Sequence, residues 1–452
     1  MPHNLQITDG TTTISLTTTN VMLSHYVPQE GRKIPGTEAE YGDVTEPIEA
    51  LVYGASTTTV QQVYGQIQAL LFAAACRSEK GSGRRVYLQY QPINDPYLWR
   101  SELRGGSVNL GANAMTAWGQ AKVPITLVVT RAGFWERAIE VEVAMNSFNS
   151  PGVGTGGKIV DNHSDGSTAG NYVTIAAGTI TGVLPAPARI EMTNISGGSR
   201  IYENIYIANE VLSTTTYFAG MVQGEAAVSG GTVESRPGTS GGNVLAMNLS
   251  GIALPRWNFS ANQVREAAGR TFRLLVRYWF YTFVSGNIIY VAPRLTEQSG
   301  AANLNPYGVE HALPTSTIQT ELLDIGTISF RDHTTAAGMA LVLAHRTTAP
   351  VQVEIDYIQP MPANNFRHLV YYGTGVANNQ RIVDDPVEGL AYAFDGSGQQ
   401  IPVVSPKAQP IMLYPNSGQA QRIYFLHDQG AQAPISHSLS VRIWYRPRRL
   451  TI

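Results

Sequence analysis

Thr57-Thr58-Thr59-Val60-Gln61-Gln62-Val63-Tyr64-Gly65-Gln66-Ile67-Gln68-Ala69-Leu70-Leu71-Phe72-Ala73-Ala74-Ala75 is the stretch that decides the fold. Val60, Val63, Tyr64, Ile67, Leu71 and Ala74 recur at helical spacing, so one face of a helix is apolar. Thr59 and Gln62 have the spacing of a capping box, and the polar run from Arg77 to Gly83 predicts the stop. No other segment has a convincing helical period. The remainder alternates or breaks at turn residues, so this one helix needs a sheet to cover its apolar stripe.

Outward from the helix, Ile14, Leu16, Val21 and Leu23 suggest early strands, and Gln29 to Asp43 reads as a polar loop. Val86, Leu88 and Tyr90 alternate, as do Ile125, Leu127 and Val129. The segment ends in Thr130-Arg131-Ala132-Gly133-Phe134-Trp135-Glu136. Residues 1–136 therefore predict a β-sandwich or split barrel with one helix packed on it. Asn146 to Gly157 reads as a linker rich in Gly, Ser and Asn. Further strands follow over 170–212. Residues 213–362 carry Thr271 to Val284, Leu341 to Leu343 and Val351 to Ile358, the many short strands of a two-sheet jelly roll. In the segment from Val351 to Ile358, Val351, Val353, Ile355 and Tyr357 face one way, and Gln352, Glu354 and Asp356 the other. Near residue 440, Leu439, Val441, Ile443 and Tyr445 alternate with Ser440, Arg442, Trp444 and Arg446, and Pro447 ends the ladder.

A chain of 452 residues is too long for one core. Charged residues make up 14 % and the net charge is −2. With no basic tract to follow phosphates, sequence-specific nucleic-acid binding is not expected. Met1 to Gly10 lacks the apolar core of a signal peptide, and Ala69 to Cys76, the longest apolar stretch, is too short to span a bilayer. The expectation is a soluble protein made in a cytoplasm, without membrane insertion. Cys76 is the sole cysteine, so no internal disulfide and no cysteine metal site can form. Its neighbours Ala73 to Ala75 predict a buried, inert thiol.

These features together resemble the distal tail proteins of long, non-contractile-tailed phages. The resemblance rests on strands, loop, helix and strands closing in Arg131-x-x-x-Trp135, and on the Pro185-Ala186-Pro187-Ala188-Arg189-Ile190 approach. It also rests on Arg381-Ile382-Val383-Asp384-Asp385, on Gln409-Pro410-Ile411-Met412-Leu413-Tyr414-Pro415, and on Ser438 to Leu450 with its Arg-rich close. It covers about 300 of the 452 residues. It implies a mainly β chain in three parts. Residues 1–136 are a tail-ring domain. Residues 137–212 and 363–452 are the two arms of a galectin-like β-sandwich. Residues 213–362 are a jelly roll inserted between them and removable without loss of the parent sheets. It further implies a structural siphovirus virion protein of the tail tip or baseplate, assembled in the host cytoplasm. Its partners would be copies of itself in a hexameric ring, the tail tube protein and the tail-tip hub. No catalytic residue, metal or cofactor belongs to this expectation.

The competing expectation is a carbohydrate-binding adhesin that meets host-surface glycan through the inserted jelly roll. Aromatic faces stack on sugar rings, so Trp257 and Tyr307 are the candidate glycan-stacking residues, and a core position is the alternative for each. A glycan-cleaving enzyme would need two carboxylates set across a cleft, which sequence does not show. Asp384-Asp385 is the only acid pair beside a turn, and neighbours on a strand point to opposite faces. Gly152 to Gly157 with Lys158 has phosphate-loop spacing, but Ile159 stands where Ser or Thr must hold magnesium. Asp161-Asn162-His163-Ser164-Asp165 begins like a calcium loop, yet the twelfth position is Tyr172 rather than Glu. None of the nine histidines pairs with another at i, i+4.

Overall fold

The computed structural model describes residues 4–34, 41–110, 121–147, 157–161, 164–165, 168–195, 203–212, 220–237, 239–249, 252–280, 289–297, 311–313, 319–330, 339–347, 350–372, 376–395, 397–415, 418–428 and 438–452. Strands dominate, as the alternation predicts. The chain divides into two units: residues 1–141, 181–186 and 445–452 form the first, and residues 142–180 and 187–444 the second.

The first unit is a nine-stranded sheet around one helix. Its path runs Thr13–Ser15, Asn4–Thr8, Tyr87–Gln91, Trp99–Leu110, Lys122–Arg131, Val44–Tyr53 and Val21–His25. Trp99–Leu110 changes partner halfway. Trp99 to Glu102 pair with Tyr87–Gln91, and from Leu103 onward, across an irregularity between Leu103 and Gly105, it pairs with Lys122–Arg131. Such an irregularity bends a strand, and here it lets one strand serve both halves of the sheet. Two short strands complete it. Trp135–Arg137 pairs with Trp99 and Arg100 on one side and with Arg448–Arg449 on the other.

Helix α1 spans Thr57–Lys80 and buries Val60, Ile67, Leu70, Leu71 and Ala74 against this sheet. Its start differs from the expectation. The N-cap is Ser56, whose hydroxyl accepts from the Thr59 amide at 3.2 Å. Gly81, at φ 67°, ends the helix in the left-handed conformation that glycine tolerates best. Gly106 sets how closely α1 approaches: a Cβ there would lie 3.1 Å from Leu71 Cδ2 and 2.7 Å from the Val128 carbonyl oxygen. Cys76 is half-buried, so the thiol is less enclosed than its alanine neighbours predict.

The second unit holds a twelve-stranded sheet whose members come from 141–211 and 366–445. Residues 222–362 supply two other sheets, of six and five strands, in the same unit. Ser438–Tyr445 pairs with Arg189–Asn194 and with Lys158–Asp161, and it buries Leu439, Val441, Ile443 and Tyr445. The six-stranded sheet runs Thr232–Ser235, Asn243–Leu249, Val351–Pro362, Thr271–Phe280 and Gln319–Ser329, with Val222–Gln223 also on Val351–Pro362.

One apolar cluster joins these sheets. It contains Leu245, Met247, Val353 and Ile355 from the six-stranded sheet, Leu341 and Leu343 from the five-stranded one, and Tyr206, Phe366, Tyr424 and Leu426 from the twelve-stranded one. Removing residues 213–362 would therefore uncover Tyr206, Phe366, Tyr424 and Leu426, contrary to the expectation of a cleanly removable insertion. A second helix, α2 (Ala261–Ala267), escapes the periodicity argument because it has only 7 residues. Its signal is the capping box of Ser260 and Gln263.

Candidate functional site

The motif that closes the first unit's sheet is a lock. Along Lys122–Arg131 the buried face runs Val123, Ile125, Leu127, Val129 and then Arg131. Continuing an apolar series with a guanidinium requires a counter-charge on the neighbouring strand. Glu46 supplies it. Arg131 donates from Nε to Glu46 Oε1 at 2.8 Å and from Nη2 to Oε2 at 3.1 Å, with both side chains 0 % exposed. Its remaining N–H groups reach the carbonyls of Ala132 and Gln29, and its plane lies 4.5 Å from the Trp135 ring. Tyr26 donates its hydroxyl to Glu46 at 2.7 Å, and the Gln29 amide donates to the same carboxylate. Burial and the Glu46 charge push the Tyr26 phenol far above its ordinary value. The loop after Val21–His25 is thus fastened to the sheet through one carboxylate. Glu136 is held in turn by Arg100 and Arg448.

In the second unit, polar groups concentrate on the face of the six-stranded sheet that points away from the apolar cluster. Leu245, Met247, Leu249, Val351, Val353 and Ile355 fill the cluster, so Ala246, Asn248, Gln352, Glu354 and Asp356 face the other way. Glu354 is gripped by Arg236 through Nε at 3.1 Å and through Nη2. Asp356 accepts from Arg277 Nη1 at 2.9 Å and from the Ser240 amide at 2.8 Å. Burial raises the Asp356 carboxyl to about 7, with Arg277 and the Ser240 bond opposing the rise and Glu225 adding to it. Burial likewise raises Glu225. Beside these pairs lies an open cleft of about 270 Å³ lined by Gly230, Gly231, Thr232, Glu234, Ala246, Met247, Asn248 and Gln352.

Among the described residues, those singled out from sequence are not brought together into one site. Trp257 is 1 % exposed, and its indole N–H donates to the carbonyls of Gln223 and Gly224 at 3.1 and 3.3 Å. It is a core residue of the shared cluster, so the expected sugar-stacking face is covered by protein. Tyr307 lies outside the described residues. Asp384 is buried in a two-pronged pair with Arg367, while Asp385 caps the turn at Val387 and Glu388. The two carboxylates face apart, as strand geometry requires. Lys158 opens a strand rather than a helix. Asp161 accepts from the Ser438 hydroxyl, and Tyr172 sits in a strand with the Arg422 guanidinium 4.0 Å over its ring. His163 lies outside the described residues. Among the described residues no cluster of three His, Cys, Asp or Glu could hold a metal ion. None of their helices is long and apolar enough to cross a membrane.

Sequence reasoning missed the Arg236–Glu354 and Arg277–Asp356 pairs. The available signal was Arg277 at the end of the apolar run Leu274-Leu275-Val276, together with a second β-prone segment that carries Glu354 and Asp356 two residues apart.

No family model and no curated protein matches the chain. Among solved structures it is similar to a chain of the phage P2 baseplate in its activated conformation with Ca, at 11 % identity and a TM-score of 0.23, over 96 % of this chain and 100 % of that one. It is also similar to the Dit protein of phage SPP1, a hub adsorption protein of a phage infecting Gram-positive hosts, at 11 % identity and a TM-score of 0.23, over 80 % of this chain and 100 % of that one. A third likeness is to Arthrobacter globiformis T6 isomalto-dextranase, at 12 % identity and a TM-score of 0.24, covering 42 % of this chain and 34 % of that one. Likenesses at these TM-scores carry no weight for what this chain does.

Proposed function

We propose that this chain is a structural subunit of a siphovirus tail tip, which closes into a ring through its first unit and links the tail tube to the hub. The order of strands, helix and strands closing in Arg131 and Trp135 supports this by resemblance. The carrying observation is the distribution of exposed apolar side chains. Among the described residues, Met22, Val27, Phe72, Ile93, Ile139 and Val183 are large, apolar and more than half exposed in the first unit. The second unit is about twice as long, and its described residues include four, Val228, Val233, Tyr372 and Leu390. In this proposal a neighbouring subunit covers some of these side chains, since exposed apolar groups that gather into a patch mark an interaction surface. A closed ring needs two different patches on each subunit, complementary to each other.

In this proposal residues 137–212 and 363–452 form the split sandwich and residues 213–362 the insertion between its arms. Sheet membership supports that division. The role is assembly rather than catalysis, the place is the virion, and six copies is the number that the resemblance implies. Native mass spectrometry of the full chain tests it, with a closed hexamer expected and a shift toward monomer in Phe72→Glu, whose parent side chain is 71 % exposed on α1. A full chain that stays monomeric as its concentration is raised would end the ring assignment.

A further inference from the structure

We propose that the edge strand Thr232–Ser235 of the six-stranded sheet is a docking site for an extended peptide segment of another protein, one that carries an apolar residue flanked by lysine or arginine. Among the described residues this strand pairs with Asn243–Leu249 alone, so its other side presents amides and carbonyls with no strand beside them. A row of unpaired backbone groups is a template for a further strand. Every residue from Val228 to Ser235 is exposed. The apolar row that crosses the sheet here outruns its cover. Ile355, Leu245 and Val233 stand in register on three adjacent strands, and they are 0, 2 and 56 % exposed. The first two belong to the apolar cluster, and the third carries the row into water. A strand added at this edge sets a further residue beside Val233, and an apolar one completes the row. Strand addition of this kind takes its affinity from main-chain bonds and its specificity from alternate side chains.

The opposite face sets the charge of the occupant. Thr232 and Glu234 alternate with Val233 and line the cleft of about 270 Å³. Glu234 is the ionised group among the described residues of that lining, which include no Lys or Arg. Residues of an added strand on either side of the one beside Val233 project to this face. A lysine or arginine there meets the Glu234 carboxylate and lays its alkyl stem along the cleft. An acidic residue meets like charge. The next cation along the chain, Arg236, is engaged by Glu354. A second copy of this strand would bring another Glu234 and no cation, so charge complementarity favours a different chain. The edge is also held in place before it is occupied. A Cβ on Gly230, at φ 98°, would lie 2.3 Å from Pro255 Cα, and one on Gly231 would lie 2.6 Å from the Ala246 carbonyl oxygen. The backbone therefore enters the strand pressed against both neighbours. A strand fixed in this way loses little freedom when a partner binds.

The test is fluorescence anisotropy of the full chain with short, labelled, end-blocked peptides in which a central Val, Ile or Tyr is flanked on both sides by Lys, by Ser or by Glu. Glu234→Lys reverses the charge of the edge, and Val233→Ser removes its apolar side chain. Gln66→Ala, on the exposed face of α1, is the control. Lys-flanked peptides are expected to bind about tenfold or more tightly than Glu-flanked ones, and Glu234→Lys is expected to invert that order. Val233→Ser should weaken every peptide, and the control should change none. No binding of any peptide, equal binding of the Lys- and Glu-flanked sets, or an order that Glu234→Lys leaves unchanged would each overturn the proposal. A smaller assembly in Glu234→Lys would put a second copy on this edge and overturn it as well. Phe72→Glu, the variant that tests the ring, should leave peptide binding intact, so the two proposals fail separately.

Discussion

The two units bury charge in different ways. In the first, among the described residues, one carboxylate, Glu46, is fully enclosed at the end of an otherwise apolar core. In the second, Glu210, Glu354, Asp356 and Asp384 are all essentially without solvent. Each has an arginine: Arg270, Arg236, Arg277 and Arg367 respectively. The first unit is a sheet with an inside and an outside. The second is layered, so strands such as Val351–Pro362 are covered on both faces, and their polar face must be neutralised in pairs. Desolvating such pairs is costly, so they contribute specificity of packing more than net stability.

Changes that strip one side of a core or a pair test this contrast most strongly. Val441 is 0 % exposed, and Val441→Asp removes about 1.5–3 kcal/mol of burial and adds an unpaired buried charge. A loss of about 4–6 kcal/mol is expected in chemical unfolding of the second unit. Arg131→Ala leaves Glu46 enclosed without its partner and should cost the first unit about 3–5 kcal/mol. An Arg131→Ala protein as stable as the parent would mean that the lock in the first unit is ornamental.

The pH dependence separates the units further. Asp356 in the folded protein titrates at about 7, above the ordinary value of 3.8. A folded-state value raised for an acid means that the native state holds the proton more tightly. This contribution is therefore present below about pH 4 and is lost as pH rises toward about 7. Asp356→Asn, which cannot titrate, should flatten that part of the profile for the second unit and leave the first unchanged. Identical profiles for Asp356→Asn and its parent would show that Asp356 does not titrate there. A smaller effect is expected from Ser56→Ala, which removes the N-cap of α1 and should cost about 1 kcal/mol. The smallest is Arg442→Ala. Its pair with Glu142 is surface-lying, with the arginine side chain 43 % exposed, and is worth about 0–1 kcal/mol.

Periodicity reached the parts of this molecule that are half-exposed. The apolar face of α1, the strands at Ile125 to Val129 and the alternation of Leu439 to Tyr445 are all where their spacing predicts. The cap of α1 lies at Ser56, three residues before the expected Thr59, because both are competent caps in the same polar run. The strand at Val351 shows the limit of the method. Its alternation is real, but whether Glu354 and Asp356 meet water depends on Arg236, Arg277 and Ser240, residues 79 to 118 positions away in sequence. Trp257 illustrates the same limit. An aromatic side chain in a β-rich segment carries no sign of which carbonyls will receive its N–H. The cleft residues Asn248 and Gln352 were illegible for a related reason, since their meeting depends on strand register between distant segments.

The strand Arg448–Arg449, which completes the first unit beside Trp135–Arg137, bears on the timing of synthesis. Glu136 and Arg448 are 312 residues apart in sequence, yet they close the same sheet edge. A ribosome making this chain releases most of the first unit early, with the partner for Trp135–Arg137 still hundreds of codons from being translated. That edge stays open until residues 445–452 emerge and seal it. Prematurely terminated chains would lack the seal, so the finished sheet doubles as a record that translation reached this segment.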